Sequence, residues 1–527
     1  MPKGYFAPVL HSHLPFVKHP GYEYFLEEHW LFEAIDETYI PLLMGFKSLE
    51  ERGVDFKITV SMTPPLCEML SDDYLRDKYH KHLERMIELC HKEVERTKDD
   101  AYFRDISRFY LERFSTIKAF FEGFLSYDVL NGYRHFSDSG KMEIITCGAT
   151  HGFLPLMSSN KKAVDVQIEL AVTTHKKHFG KAPNGIWLPE CAYYEGLDEI
   201  LNKNGIKFFF MDSHGLVYAK PTPKFGVFAP IYTPNGVAAF GRDPDSSKQV
   251  WSSKEGYPGD VDYRDFYRDI GYDLDFEYVK PYICPDGTRV FTGLKYFRVT
   301  SASEHKEVYN RQNALAKAKE HAANFHFNRE KQAEYLSSFI DRPPLIVTPY
   351  DAELFGHWWF EGPDFLMHVF EEMDKHGVIQ AVTPMEYMAI YDTNQVAEPN
   401  PSSWGDKGYY DVWINGGNDW IYRHLHFMAD KMTEFADKYY NLQDSMTLRV
   451  LNQMARELLL AQSSDWAFLM TTKTAVEYST RRTREHISNF VRLLDMLEEN
   501  NINEPFLSDL EYKNSIFQGL DFRIYAS

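Results

Sequence analysis

The sequence predicts an α/β fold: a (β/α) barrel of short parallel strands, interrupted by a helical insertion and followed by a C-terminal α-helical domain. Short apolar runs that end in polar or proline-containing turns recur along the chain and lead into helical patterns, the rhythm of a parallel sheet or barrel. Histidine, aspartate and glutamate gather at the ends of those runs. Amphipathic helical spacing takes over in two blocks, and these fix the boundaries: residues 1–72 and 133–395 for the barrel, 73–132 for the insertion and 396–527 for the helical domain.

The strand runs are YFAPVLHSH (5–13), VDFKITVSMTPP (54–65), MEIITCGATH (142–151), GIWLPECAY (185–193), IKFFFMDSH (206–214), PLIVTPYDAE (344–353) and VIQAVTPMEY (378–387). Three close on the same strand-then-Thr-Pro punctuation, MTPP, VTPY and VTPM. In a (β/α) barrel the C-terminal strand ends converge on one face. His11, His13, His151, Glu190, Asp212, His214, Asp351 and Glu353 therefore share a pocket although they are far apart in sequence.

The insertion rests on Leu83, Met86, Ile87, Cys90 and Val94 at helical spacing, followed by FYLERFSTIKAFFEGFL. Residues 215–300 are rich in Gly, Pro and Tyr and read as long loops that wall a cleft. After the short connection EPNPSS, the segment SSWGDKGYYDVWINGGNDWIYRHLH leads into MTLRVLNQMARELLLAQSSDWAF and SNFVRLLDMLEEN, the long helices of the last domain.

Composition narrows the class of function. A chain of 527 residues with 44% hydrophobic content builds two or three domains around a large core. Its formal charge of −20, spread along the chain, argues against nucleic acid or an anionic membrane as partner. Aromatic residues reach 16%, either as core or as faces on which sugar rings stack. The five cysteines are scattered, so neither a disulfide framework nor a CxxC metal knuckle is indicated. MPKGYFAPVL has no signal-peptide character and no stretch nears the roughly 18 apolar residues of a membrane span, so a cytoplasmic protein is expected. No phosphate-binding glycine loop or GxSxG elbow occurs, which removes kinase, Rossmann and serine-hydrolase readings.

Glu190, just after Trp187 at a strand end, reads as a nucleophile beside an aromatic wall or as the N-terminal acid of the next helix. Asp351 reads as a general acid or as an N-cap, with His357 and Trp358 following in HWWF. Two carboxylates on one barrel face in an aromatic setting fit retaining glycoside chemistry: one attacks the anomeric carbon, the other protonates the leaving oxygen. The HxH pair His11/His13 suits zinc, with His151 or Asp212 as third ligand, and equally suits hydrogen bonding to sugar hydroxyls.

HSHLPF, GATHGFLP, GIWLPECAYYEGLDEIL, TPYDAELFGHWWFEGP and SWGDKGYYDVWINGGNDWIYRHLH, in this order and across nearly the whole chain, resemble the five sequence regions of glycoside hydrolase family 57. Within it, the length and the helical domain are similar to the α-glucan branching enzymes and related intracellular α-amylases. The resemblance implies an incomplete (β/α)7 barrel with a C-terminal domain closing the cleft, Glu190 as nucleophile and Asp351 as general acid/base. It implies that His11, His13 and His151 line the sugar subsite, and that Trp404 and Trp413 help to wall the cleft. Trp187, Asp212, Tyr272, His357, Trp358 and Asp465 complete the substrate-binding candidates. No metal and no cofactor are implied, and the partner is an α-1,4-glucan such as amylose or a glycogen-like polysaccharide.

Two departures bear on the outcome of the reaction. Tyr272 stands in DIGYDLDF where branching members carry a tryptophan, and GRDPDSSKQ (241–249), the counterpart of their mobile loop, lacks its tyrosine. The expected function is a 1,4-α-glucan branching enzyme of glycogen-type metabolism, with α-amylase and 4-α-glucanotransferase as alternatives. A non-catalytic glycan-binding protein and a metal-dependent hydrolase using His11 and His13 are the rivals from other classes.

Overall fold

The computed structural model describes residues 2–252, 255–284, 287–300 and 305–527. β1 (Gly4–Ser12) is buried at every position, as a strand covered on both faces must be. Its C-terminal half pairs with β2 (Ile58–Met62), which pairs in turn with β3 (Met142–Ile145). The other edge of β1 pairs with β8 (Leu345–Asp351), and the start of β1 also meets β9 (Ile379–Ala381). In this register His11 lies beside Ser61 on one flank and beside Asp351 on the other.

A second sheet holds β4 (Gly185–Trp187), β5 (Phe208–Met211) and β7 (Ala238–Gly241), with the two-residue β6 (Ile231–Tyr232) as an antiparallel edge. Backbone hydrogen bonds tie the sheets together. Thr146, just past β3, donates to the Gly185 carbonyl at 3.3 Å and accepts from the Trp187 N–H at 2.8 Å. On the far side the Asp243 N–H, two residues past β7, donates to the Val347 carbonyl of β8 at 2.9 Å. All pairings but β6–β7 are parallel, so the C-terminal strand ends share one direction.

α1 (Leu26–Ala34) runs into α2 (Ile40–Glu51) through a single π turn, Ile35–Tyr39, whose residues are all buried. The wider turn aims Glu37 and Tyr39 at the strand ends, a placement common for π turns at functional sites. Gly356, at φ +116°, makes this possible, because a Cβ there would stand 1.8 Å from the Glu37 carbonyl oxygen.

Three helices follow in residues 73–138: α3 (Asp73–Arg96), α4 (Arg104–Glu122) and α5 (Val129–Asp138), the last running past the expected boundary at 132. Asp72 caps α3 by accepting from the Leu75 N–H, and Leu83, Met86 and Cys90 face the core while Ile87 and Val94 lie at its margin. α6 (Lys161–Phe179) and α7 (Pro244–Trp251) follow strand ends. α8 (Arg311–Leu336) packs on α9 (Gly362–His376). The last stretch is helical too: α10 (Trp420–Lys438), α11 (Ser445–Ala461), α12 (Ser464–Thr472), α13 (Val476–Glu498) and α14 (Glu504–Lys513).

Several expectations are corrected. Residues 215–300 are not only loop: they hold β6, β7 and α7. Segment 241–249 is no mobile loop but runs from the end of β7 into α7, where Asp243 caps the helix by accepting from Ser246 N–H at 2.9 Å. Thr-Pro starts a helix at Thr63-Pro64 and Thr383-Pro384, but Thr348-Pro349 lies inside β8.

Candidate active site

Glu190 sits three residues past the end of β4, in a 3-10 turn and in the left-handed region at φ +63°, ψ +23°. That conformation costs a non-glycine residue about 1 kcal/mol or more, so it persists only where neighbours over-determine it. They do. The Trp404 N–H donates to the Glu190 carbonyl at 3.0 Å, Trp404 Nε1 to Oε2 at 2.9 Å and Ser464 Oγ to Oε1 at 3.0 Å. The reading of Glu190 as a helix N-terminal acid fails, because the next helix, Leu197–Lys203, starts after Gly196. Burial pushes the Glu190 carboxyl up, and the Trp404 and Ser464 hydrogen bonds work against that rise. Each hydrogen bond to an ionised group contributes roughly 1.5–3 kcal/mol, against a burial cost of several kcal/mol.

Three imidazoles lie beside it. His11 stacks on Trp187 at 4.6 Å between ring centroids, and His13 stacks on His151 at 3.9 Å. His11 Nδ1 is 3.1 Å from Ser61 Oγ, His11 Nε2 is 3.1 Å from His151 Nε2, and His151 Nδ1 is 2.8 Å from Ser464 Oγ. Burial, reinforced by the neighbouring rings, holds both His11 and His151 well below the usual histidine range, so both are neutral near pH 7. The single Ser464 hydrogen goes to Glu190, so its oxygen must accept from His151 Nδ1–H. His151 then accepts at Nε2 from His11 Nε2–H. One directed chain, His11 to His151 to Ser464, ends on the carboxylate.

His13 has the opposite charge state. Its Nε2 is 3.0 Å from both oxygens of Asp465 and its Nδ1 is 3.1 Å from Thr63 Oγ1. Burial alone would lower His13, but Asp465, with Glu190 and Glu353, raises it. Burial alone would likewise raise Asp465, yet His13 holds its carboxyl well below the usual range. All six nitrogens of His11, His13 and His151 therefore have protein partners. His13, His151 and Asp465 bring ligand-type atoms within 4.8 Å of one another, as do His11, Cys147 and His151, so a metal here would displace hydrogen bonds already made.

Asp351 ends β8 directly opposite His11 and makes no capping hydrogen bond, which removes the N-cap reading. Burial first, then the carboxylates of Glu353 and Glu190, push its carboxyl well above the usual range, with Arg242 opposing. Glu353 accepts from the His13 N–H at 3.2 Å and from the Tyr39 hydroxyl, and burial pushes it up to about 6. The cleft thus holds one carboxylate gripped by donors, Glu190, beside one whose carboxyl is pushed well above the usual range, Asp351.

The remaining candidates divide. Trp404 belongs to the Glu190 cradle. Trp187 and Trp413 are 0% and 1% exposed, correcting the expectation that they contact the ligand: Trp187 backs His11, and Trp413 stacks on Phe153 at 4.5 Å. Asp212 caps Ser213–Val217, accepting from the Ser213 N–H, and lies 3.5 Å from Arg242. Tyr272, His357 and Trp358 form a separate aromatic platform through Phe266 and Phe291, with Trp358 stacked on Phe266 at 4.4 Å. Tyr272 and Trp358 are about half exposed, and His357 is held 2.7 Å from Glu37, which also pairs with Arg264 at 2.7 Å. Ser464, Tyr39, Glu37 and Arg242 were not singled out from sequence; no motif marks them.

The model of glycosyl hydrolase family 57 matches residues 7–399, and that of the 1,4-alpha-glucan branching enzyme C-terminal region matches 424–525. The chain is 33% identical to a 1,4-alpha-glucan branching enzyme of Thermococcus kodakarensis, over 100% of this chain and 79% of that protein. Among solved structures it is similar to the alpha-amylase AmyC of Thermotoga maritima, with 48% identity, a TM-score of 0.94 and 100% and 99% of the two chains covered. It is also similar to a branching enzyme of the same family from Pyrococcus horikoshii, with 35% identity, a TM-score of 0.89 and 100% and 97% covered.

The hydrogen-bond chain is checked by 15N NMR at neutral pH. His151 should carry its proton on Nδ1 and His11 on Nε2, and Ser464→Ala should raise the Glu190 pKa by removing a donor. The opposite tautomer on either ring breaks the chain.

Proposed function

Because this chain belongs to glycosyl hydrolase family 57, we propose that it is a 1,4-α-glucan branching enzyme, cleaving an α-1,4-glucan and passing the segment to a 6-hydroxyl of another chain. The observation that carries this reading is that Ser464 and Asp465, within the segment matching the branching-enzyme C-terminal model, grip Glu190 and His13 directly. We read β1–β5, β7 and β8 as an incomplete (β/α)7 barrel over residues 1–72 and 133–395. Residues 73–132 are then its insertion, and 396–527 a helical domain that closes the cleft.

Glu190 attacks C1 of the sugar, and Asp351 gives its proton to the departing oxygen. The ionised Asp351 then takes the proton of the incoming hydroxyl as that oxygen displaces Glu190, so configuration is retained. His11, His13 and His151 line the donor position, where a sugar hydroxyl exchanges for one of the protein hydrogen bonds these rings make. The chemistry needs no metal and no cofactor. Tyr272 and Trp358, on the exposed platform, receive the acceptor chain by stacking. All five cysteines are buried, which supports a reducing compartment, and among the described residues no helix is long and apolar enough to cross a membrane. We place the enzyme in the cytoplasm, acting on a glycogen-like polysaccharide.

Hydrolysis is the second reading, favoured by the identity to an α-amylase structure and by Tyr272 in place of tryptophan. A glycosyl-enzyme intermediate is resolved by water or by a sugar hydroxyl according to how dry the acceptor side is. Amylose incubated with the enzyme and then debranched decides between them. Branching raises α-1,6 linkages; a rise in reducing ends alone identifies an amylase, and redistributed chain lengths without either identify a 4-α-glucanotransferase.

Glu190→Gln should lower turnover about a thousandfold or more, roughly 4 kcal/mol of transition-state stabilisation, while glucan binding stays measurable. Unchanged turnover removes Glu190 from its role.

The pH profile tests Asp351. A neighbouring anion raises a carboxyl pKa, so Glu353→Gln, which still accepts from Tyr39 and His13, removes one of the causes that raise Asp351. The alkaline limb of kcat/KM, where the acid is lost, should move to lower pH; an unmoved limb rules Asp351 out as the acid.

A further inference from the structure

A second cluster of metal-ligating side chains lies away from the cleft, between α8 and α9. His326 and Glu330 stand one turn apart on α8, and Glu372 and His376 one turn apart on α9. His376 is the last residue of α9, three before the start of β9, so the cluster sits where strands begin, opposite the catalytic ends. One ligand atom each from His326, Glu372 and His376 lies within 4.8 Å of the others, and the two imidazoles stack at 5.1 Å. Glu330 Oε1 is 3.5 Å from His326 Nε2, and Glu372 Oε2 is 3.3 Å from His376 Nε2.

Helical Glu–His pairs at this spacing are ordinary surface features by themselves. What sets this cluster apart is that His326 is only 3% exposed and its Nε2 makes no hydrogen bond, facing only the Glu330 carboxylate at 3.5 Å. A buried polar atom left unpaired is costly, and the lone pair of a neutral imidazole is a metal ligand. Lys375 lies 3.6 Å from the other Glu372 oxygen, leaving Oε2 free to turn inward.

We propose that His326, Glu372 and His376, with Glu330 as fourth ligand, bind a zinc-class divalent cation that staples α8 to α9. Two imidazoles and two carboxylates suit tetrahedral zinc, with ligand bonds of roughly 2.0–2.2 Å and donors about 3.3 Å apart. His376, on the exposed side, closes the remaining distance by side-chain rotation. The cation is structural: α8 precedes β8, which ends at Asp351, and α9 follows it, so the staple holds the two helices that flank the catalytic strand.

The test uses the full chain stripped with a chelator and titrated with zinc by calorimetry, and with cobalt by visible absorption. One equivalent should bind saturably and raise Tm. Activity at ambient temperature should survive the chelator. His376→Ala and Glu372→Gln, both on the accessible side, should each weaken binding at least tenfold and remove the metal-dependent rise in Tm. Absence of a saturable event, or binding undiminished in both variants, overturns the proposal.

Discussion

An ionised carboxylate has to be kept from water without being neutralised, and the molecule is arranged around that requirement at Glu190. Its backbone is forced into the left-handed region, where a side chain is otherwise disfavoured, and this turn points the carboxylate at Trp404 and Ser464. Neither donor is local: Trp404 comes from the connection after the sheet, and Ser464 from the start of α12. The strain in one residue is thus offset by two segments that must fold around it, so the geometry of Glu190 depends on the tertiary structure as a whole.

Charge alternates outward from that point. His11 and His151 are neutral because they are buried against each other, and their tautomers are fixed by the hydrogen Ser464 donates. His13, two residues from His11, faces Asp465 and carries the charge that the carboxylates Glu190, Glu353 and Asp465 need. Asp351 is buried and faces Glu353 and Glu190 with only Arg242 in opposition, which pushes its carboxyl well above the usual range. Burial raises both carboxyls, and what separates them is that Glu190 has hydrogen-bond donors on both oxygens while Asp351 faces two like charges.

The strand ends were legible in the sequence because strands covered on both faces are written as continuous apolar runs, and their chemistry follows immediately in HSH, WLPE and PYDAE. β7, AAFG, is short and poor in β-branched residues, and nothing in it announces a strand. α8 buries alanines, Ala314, Ala318 and Ala322, whose small side chains give little periodic contrast. Trp187 and Trp413 could not be told from sugar-facing tryptophans, since a ring that stacks on His11 or Phe153 is spelled like one that stacks on a ligand. Ser464 is an unremarkable residue whose meaning exists only through a contact 313 positions away.

The C-terminal helices are therefore part of the candidate site and not an appendage to it. Without α12 Glu190 loses a donor, His151 loses the acceptor that sets its tautomer, and His13 loses the counterion that keeps it charged. The backbone reinforces this, because the Ser464 N–H donates to the His151 carbonyl at 3.0 Å and Gln167 reaches Gln462 at 3.0 Å. Relatives named for hydrolysis and for branching share this backbone closely. The platform of Trp358, Phe266, Phe291 and Tyr272 is joined to the end of β8 through His357 and Glu37 of the π turn. The same turn presents Tyr39 to Glu353, which raises Asp351, so the aromatic platform and the carboxyl at the end of β8 are both tied to one irregular turn of helix.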